Sequence, residues 1–267
     1  MTDPAISPLV AADLPDAVRL LERAGLASGA ANVGRYLAWQ PDGAWQLRRE
    51  GGLVGMVTLL RFGHVGFVGC MAVEPTLHGG GIGRALLEHA HAEGRAAGVR
   101  TFLLEATDAG AHLYRRLGYE TEHETVIVAR TIEAASTTER IGAARAEIVA
   151  LDTEAAASPR GVMIGALVQS YEGAIVRDAR GLAGYGLVVG ERLGPIVARD
   201  PGAGRELVAR LAGATKVATV AVPNTAACEA LAAAGFTVAR RLERMRLGPP
   251  IGDRHEWIFA LASAGAG

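Results

Sequence analysis

The run His78-Gly79-Gly80-Gly81-Ile82-Gly83-Arg84 constrains the fold of this 267-residue chain more than any other feature. Before it lies an apolar stretch, His64 to Val73, that reads as a strand and ends at Pro75. After it, Ala85 to Ala97 has helix-forming composition, with Leu86, Leu87 and Ala90 on one face. A strand must therefore feed a glycine loop that opens a helix. Glycines tolerate positive φ and carry no Cβ, so the loop amides and the helix N-terminus can converge on an anion, and a pyrophosphate fits such a cradle. A tight turn or flexible linker uses the same residues. A Walker loop is excluded, because Gly83 is followed by Arg84-Ala85 with no Lys and no hydroxyl. The dinucleotide pattern counted from Gly81 meets Leu86 where glycine is needed, and the strands before it do not form a βαβ unit.

The surrounding pattern supplies the architecture. Asp13 is expected to cap a helix carrying Leu14, Val18 and Leu21, and Ala27 to Ala31 reads as a loop. Extended segments at Ala44 to Arg49, Leu53 to Arg61 and His64 to Val73 are separated by Glu50-Gly51-Gly52 and Gly63, an antiparallel meander. Thr101 to Ala106 reads as a strand, Ala109 to Leu117 as a short helix stopped by Gly118, and Thr125 to Thr131 as a closing strand. Polar Glu133 to Arg140 is the expected linker. Beyond it the pattern partly repeats: Leu231-Ala232-Ala233-Ala234-Gly235-Phe236 echoes Tyr114-Arg115-Arg116-Leu117-Gly118-Tyr119, and Val73 and Val197 each precede a glycine-containing loop. Two units are expected, residues 1–132 and 141–267.

Composition removes several function classes. The formal net charge of -1 leaves no electrostatic footprint for nucleic acid or an anionic membrane. Cys70 and Cys228, far apart, form neither a disulfide framework nor a thiolate metal site, and His89 and His91, two apart on a helix, diverge. With polar Met1-Thr2-Asp3 at its start and no apolar run long enough for a bilayer, the chain is expected to be cytoplasmic, with a small-molecule partner and no metal.

The stretch Val73 to Arg84 resembles the acetyl-CoA loop of the GNAT superfamily, patterned Arg/Gln-x-x-Gly-x-Gly/Ala, with His78, Gly81 and Gly83 at its fixed positions. Ala111-His112-Leu113-Tyr114-Arg115-Arg116-Leu117-Gly118-Tyr119 resembles the family's A-x-x-L-Y-x-x-x-G-F/Y segment. Asp13-Leu14-Pro15, Val73-Glu74-Pro75, Glu105-Ala106-Thr107 through Gly118-Tyr119, and Gly248-Pro249-Pro250 to Phe259-Ala260-Leu261-Ala262 are similar to a bacterial group with a degenerate second GNAT-like domain, so the resemblance spans nearly the whole chain. It implies an α/β (α+β) protein of two GNAT-like domains, each a mixed, mostly antiparallel sheet flanked by helices. It implies acetyl-CoA as cosubstrate and direct attack in a ternary complex, and the expected acceptor is a primary amine of a small molecule or amino acid.

On that resemblance Met71, Ala72 and Val73 pair with the pantetheine arm, and the amides of His78, Gly79, Gly80, Gly81, Ile82, Gly83 and Arg84 hold the pyrophosphate. Tyr114 is the acid for the leaving thiolate, and Thr107 stands where many members have an asparagine touching the cofactor arm. His78 departs from the usual Arg or Gln. Glu105 is the candidate base, ahead of His64, Cys70 and Glu74. A core tyrosine and an outward, solvated glutamate are the competing readings of Tyr114 and Glu105.

In the second half Arg199-Asp200-Pro201-Gly202-Ala203-Gly204 matches the loop pattern, but it runs seven steps from Val197 to Gly204 against ten from Val73 to Gly83. Pro201 also deletes an amide, and Leu231 replaces the tyrosine. That half is expected to wall the acceptor cleft or to act as an internal pseudo-dimer partner, in a monomer or a homodimer. A non-catalytic acyl-CoA sensor is the main alternative, and a nucleotide-binding oxidoreductase a distant one.

Overall fold

The computed structural model describes residues 5–131 and 135–267. Met1-Thr2-Asp3 and the start of the expected linker at Glu133 lie outside the described residues. The rest of the linker is tied down along the second half: the Ser136 hydroxyl donates to the Leu211 carbonyl at 2.5 Å, and Glu139 forms a backbone bridge with Gly173.

The first half runs β1 (Ile6–Pro8), α1 (Leu14–Arg23), α2 (Ala27–Ala30), α3 (Val33–Trp39), β2 (Ala44–Arg49), β3 (Gly52–Phe62), β4 (Val65–Val73), α4 (Ile82–Ala96), β5 (Thr101–Ala106), α5 (Asp108–Arg116) and β6 (Glu120–Ala129). The second runs α6 (Arg145–Ala156), α7 (Gly161–Ser170), β7 (Gly173–Asp178), β8 (Gly181–Val189), β9 (Arg192–Ala198), α8 (Pro201–Leu211), β10 (Val217–Ala221), α9 (Thr225–Ala233), β11 (Thr237–Leu247) and β12 (Ile258–Ala260). The meander, β5 and α5 fall where the apolar alternation and turn residues put them.

Three local expectations are corrected. Asp13 does not cap α1: its carboxylate accepts from the Val10 N–H at 3.0 Å and pairs with Arg48 at 2.9 Å, which also brings β2 against the helix. Residues 27–31 are mostly helical, and α3 follows with Val33, Tyr36 and Leu37 buried. The closing strand β6 begins five residues earlier than Thr125, because its exposed, charged first half is held by pairing with β11 and not by burial.

One mixed sheet, mostly antiparallel, carries both halves in the order β1-β2-β3-β4-β5-β11-β6-β10-β9-β8-β7, with β12 on β9. The halves exchange their last long strands. Strand β11 of the second half pairs with β5 of the first, β6 of the first pairs with β10 of the second, and β6 and β11 pair with each other from Thr237 opposite Ala129 to Arg246 opposite Glu120. This leaves neither half-sheet an open inner edge. One face is covered by α1, α3, α6 and α7 over a single apolar core that runs through both halves. On the other face, α4 and α5 cover the first half and α8 and α9 the second, over separate cores.

Candidate active site

Strands β4 and β5 are paired in parallel only from Val65–Phe67 to Thr101–Leu103; beyond that they part. The cause is local. Between Gly69 and Ala72, strand β4 carries one residue more than β3 opposite it, and Cys70 at this bulge adopts φ 45°. A non-glycine residue at positive φ is strained and persists only where packing enforces it. Here the Cys70 thiol lies 3.8 Å from the Gly29 carbonyl, and the Gly265 backbone abuts Gly69. The bulge turns the edge of Met71, Ala72 and Val73 toward a cleft of about 590 Å³ whose wall also includes Leu104 and Glu105.

Below this gap α4 begins. Gly81 is its first boundary residue at φ 79°, Gly79 has φ 81°, and no side chain caps the helix. The first intrahelical bond is Ala85 N–H to the Gly81 carbonyl, so the amides of Ile82, Gly83 and Arg84 have no acceptor in the helix. Gly83 packs closely against the side-chain ends of Met71 and Leu113, which would have to shift slightly to admit a Cβ. The His78 ring reaches back to the Val73 carbonyl at 3.1 Å, latching the loop to the strand end, while Arg84 pairs with exposed Glu88 at 2.8 Å. Uncapped amides beside a splayed strand edge suit an anion with an extended polar arm.

Tyr114 enters the cleft from the α5 side. It is 8% exposed, its ring meets that of Tyr119 edge-on at 5.7 Å, and among the described residues its hydroxyl makes no hydrogen bond. Burial pushes its pKa up to about 12, which keeps the phenol a proton donor throughout the physiological range. Tyr119 is in turn fixed by His91 at 2.7 Å, whose pKa burial lowers to about 4, so the imidazole is neutral. Thr107 is not free for a ligand in the same way: its hydroxyl caps α5 by accepting from Gly110 N–H at 3.2 Å.

Glu105 approaches from the opposite face. Leu104 and Ala106 join the core under α4 and α5, so Glu105 points to the other side, next to Arg244 across the β5–β11 pair. Its side chain is fully buried, Oε1 lies 3.3 Å from the Arg244 guanidinium, and Oε2 has no hydrogen-bond partner among the described residues. Burial raises its pKa, against the pull of Arg244. The cleft thus has a proton donor on one side of the sheet and a carboxylate on the other. The lesser candidates are otherwise engaged: Glu74 pairs with Arg23 at 2.9 Å, and burial lifts the Cys70 thiol to about 12. Among the described residues no group of His, Cys, Asp and Glu could hold a metal, and no helix is long and apolar enough to cross a membrane.

The second half repeats this arrangement but fills it with its own chain. Strand β9 also carries an extra residue, between Leu193 and Ile196, and meets β10 only at Arg192 and Val217. Into the gap runs β12, antiparallel to β9, with the Leu261 N–H donating to the Thr219 carbonyl of β10 at 2.8 Å. The Phe259 ring stands where any side chain on Gly204 would be. At the start of α8, Asp200 Oδ1 accepts from the amides of Gly202 and Ala203 at 2.9 and 3.0 Å, so the chain's own carboxylate occupies the anion position.

Several cleft residues carry no sequence motif. Tyr36 from α3, Ser263 to Gly265 after β12, and Ile127, Arg240 and Leu242 from the exchanged strands line its far end. The apolar spacing of Val33, Tyr36 and Leu37 is the signal from which α3 could have been read; the approach of Ser263 to Tyr36, 227 positions apart, has none.

Two family profiles described as acetyltransferase (GNAT) domains match the chain, at residues 40–121 and 148–260. An IAA acetyltransferase from Azospirillum brasilense is 40% identical over 86 residues, which is 30% of this chain and 56% of that protein, so the chain spans little more than half of this relative. Among solved structures, a candidate acetyltransferase from Pyrococcus horikoshii superposes with TM-score 0.86 at 20% identity, covering 100% of this chain and 97% of the other. A GCN5-related N-acetyltransferase from Sphaerobacter thermophilus gives TM-score 0.67 at 19% identity, over 94% and 98%. These two likenesses show the fold shared across both halves.

Proposed function

Because the chain belongs to the GNAT acetyltransferase family, with a matched domain in each half, we propose that its first half transfers an acetyl group from acetyl-CoA to the primary amine of a small molecule. The observation that carries this reading is the pairing of an open β4–β5 gap with the uncapped N-terminus of α4 and the Tyr114 hydroxyl, set against a second half whose equivalent gap is self-filled. The second half then binds no cofactor and serves as scaffold and cleft wall. The divide between units falls in the segment after β6.

Bound acetyl-CoA would supply an activated acetyl thioester. The amides of Ile82, Gly83 and Arg84 would hold the pyrophosphate, and the free edge of Met71 to Val73 would hold the arm. The edge N–H groups turned out by the Cys70 bulge supply a donor for negative charge on the carbonyl oxygen. Tyr114 holds the proton destined for sulfur, and Glu105 takes the proton from the amine, directly or through water.

Thermal unfolding tests the cofactor site. Ligand at a hundredfold excess over its Kd stabilises the folded state by about 2.7 kcal/mol, roughly 5–10 °C for a chain of this size. Acetyl-CoA should produce such a shift, and Gly81→Glu/Gly83→Glu should abolish it while NAD has no effect on either protein. An unshifted wild-type transition would sink the assignment.

Glu105 is tested by pH. The ratio of wild-type to Glu105→Gln rates cancels the amine's own ionisation. A base with a raised pKa acts only once deprotonated, so the ratio should climb to about 10²-fold as pH rises through a midpoint above the usual carboxylate range. A flat ratio would remove Glu105 from the chemistry.

A further inference from the structure

Resting on that reading, we propose that the acceptor is an amine that also bears a carboxylate, which docks at the Tyr36–Ser263 end of the cleft. The Tyr36 hydroxyl and Ser263 Oγ are 2.6 Å apart and both line the cleft. Ser263 follows β12, so the segment that fills the second half's gap also delivers a hydroxyl to the first half's site. Either hydroxyl can turn its proton toward a carboxylate oxygen.

The charges around this end are of one sign. Arg192, 6% exposed, gives Nη1 to the Thr219 hydroxyl at 2.9 Å, and Tyr36 and Arg192 lie close enough to act on each other electrostatically. Thr219 sits opposite Ile127 and Ile127 opposite Arg240, so Arg192 and Arg240 flank the same face of the sheet. Arg240 lines the cleft and reaches the Gly25 carbonyl at 3.2 Å; Arg35 lines a separate groove, where it bonds the Tyr171 hydroxyl and Asn32, but lies within electrostatic reach of Tyr36. Among the described residues none of these three arginines has a carboxylate partner, whereas Arg48, Arg244 and Arg246 each pair with two or more. The carboxylate lining the cleft, Glu105, is paired with Arg244. Arg192 lies behind the cleft wall, and a buried guanidinium with no counter-charge is unfavourable, so an anion at the adjoining Tyr36–Ser263 hydroxyls would offset that cost. A neutral amine would leave this positive end unmatched. An amino acid places its carboxylate there and its amine toward Glu105.

The test compares alanine, methionine and phenylalanine with their carboxamides, read as CoA thiol release, together with calorimetric titration of N-acetylmethionine and N-acetylmethioninamide into CoA-loaded protein. The carboxylates should lead by tenfold or more in kcat/KM and in affinity. In Arg240→Gln and Tyr36→Phe that lead should shrink through a higher acceptor KM, with the acetyl-CoA thermal shift unchanged. Carboxamides used or bound equally well, or a lead untouched in both variants, would overturn the proposal. Absence of the acetyl-CoA shift in the wild type would instead strike the acetyltransferase reading on which it rests.

Discussion

Tyr114→Phe should lower turnover by about 10²–10⁴-fold, the range for loss of a positioned general acid, with acetyl-CoA binding intact. The ring is retained, so its contacts with Tyr119 and Gly110 persist. The hydroxyl makes no hydrogen bond within the described residues, so its removal breaks no structural bond, and the melting temperature of the free protein should move little. Because burial sets the phenol near 12, the wild-type rate should show no alkaline loss from this group below about pH 11. Steady-state rates with calorimetric cofactor affinity separate the roles. Full activity in Tyr114→Phe would make Tyr114 a packing residue and leave thiolate release to solvent.

The second large effect lies far from the chemistry. Asp152→Ala should destabilise the protein by about 3–5 kcal/mol, the cost of stripping one partner from a buried ion pair. Asp152 on α6 accepts two bonds from Arg160 at 2.9 and 2.8 Å and one from the Tyr185 hydroxyl of β8 at 2.6 Å, and both charged side chains are at most 5% exposed. Removing the carboxylate leaves a guanidinium and a phenol in an apolar core shared by both halves. Asp152→Leu/Arg160→Met, which removes both charges, should cost less than Asp152→Ala alone; denaturant unfolding of the set reads the coupling. Equal destabilisation would mean that lost packing dominates over the stranded charge.

Much of the first half was legible locally. The alternation in 44–73, the glycines before α4 and the apolar face of that helix each encode their structure within a few residues, so strand, loop and helix follow without tertiary information. Tyr114 was singled out through the resemblance of Ala111 to Tyr119 to a GNAT segment; its local pattern alone, a tyrosine one turn before a Gly stop, reads equally as core. The Cys70 bulge was not visible, since its positive φ is enforced by Gly29 and Gly265, partners distant in sequence. Asp13 misled for a related reason: a carboxylate at a helix start caps only if nothing stronger claims it, and Arg48 on β2 does.

The sequence by itself determined the periodicities, the glycine loop that opens α4 and the partial repeat in the second half, because backbone propensity and glycine geometry act over one or two turns. Tertiary structure alone decided that β6 and β11 trade places between halves, that β12 fills the second gap, and that Ser263 reaches Tyr36. Those outcomes depend on which edges remain unpaired and which apolar faces remain uncovered once the local elements exist. That competition is settled by contacts across more than a hundred residues, and no local pattern in the chain records its result.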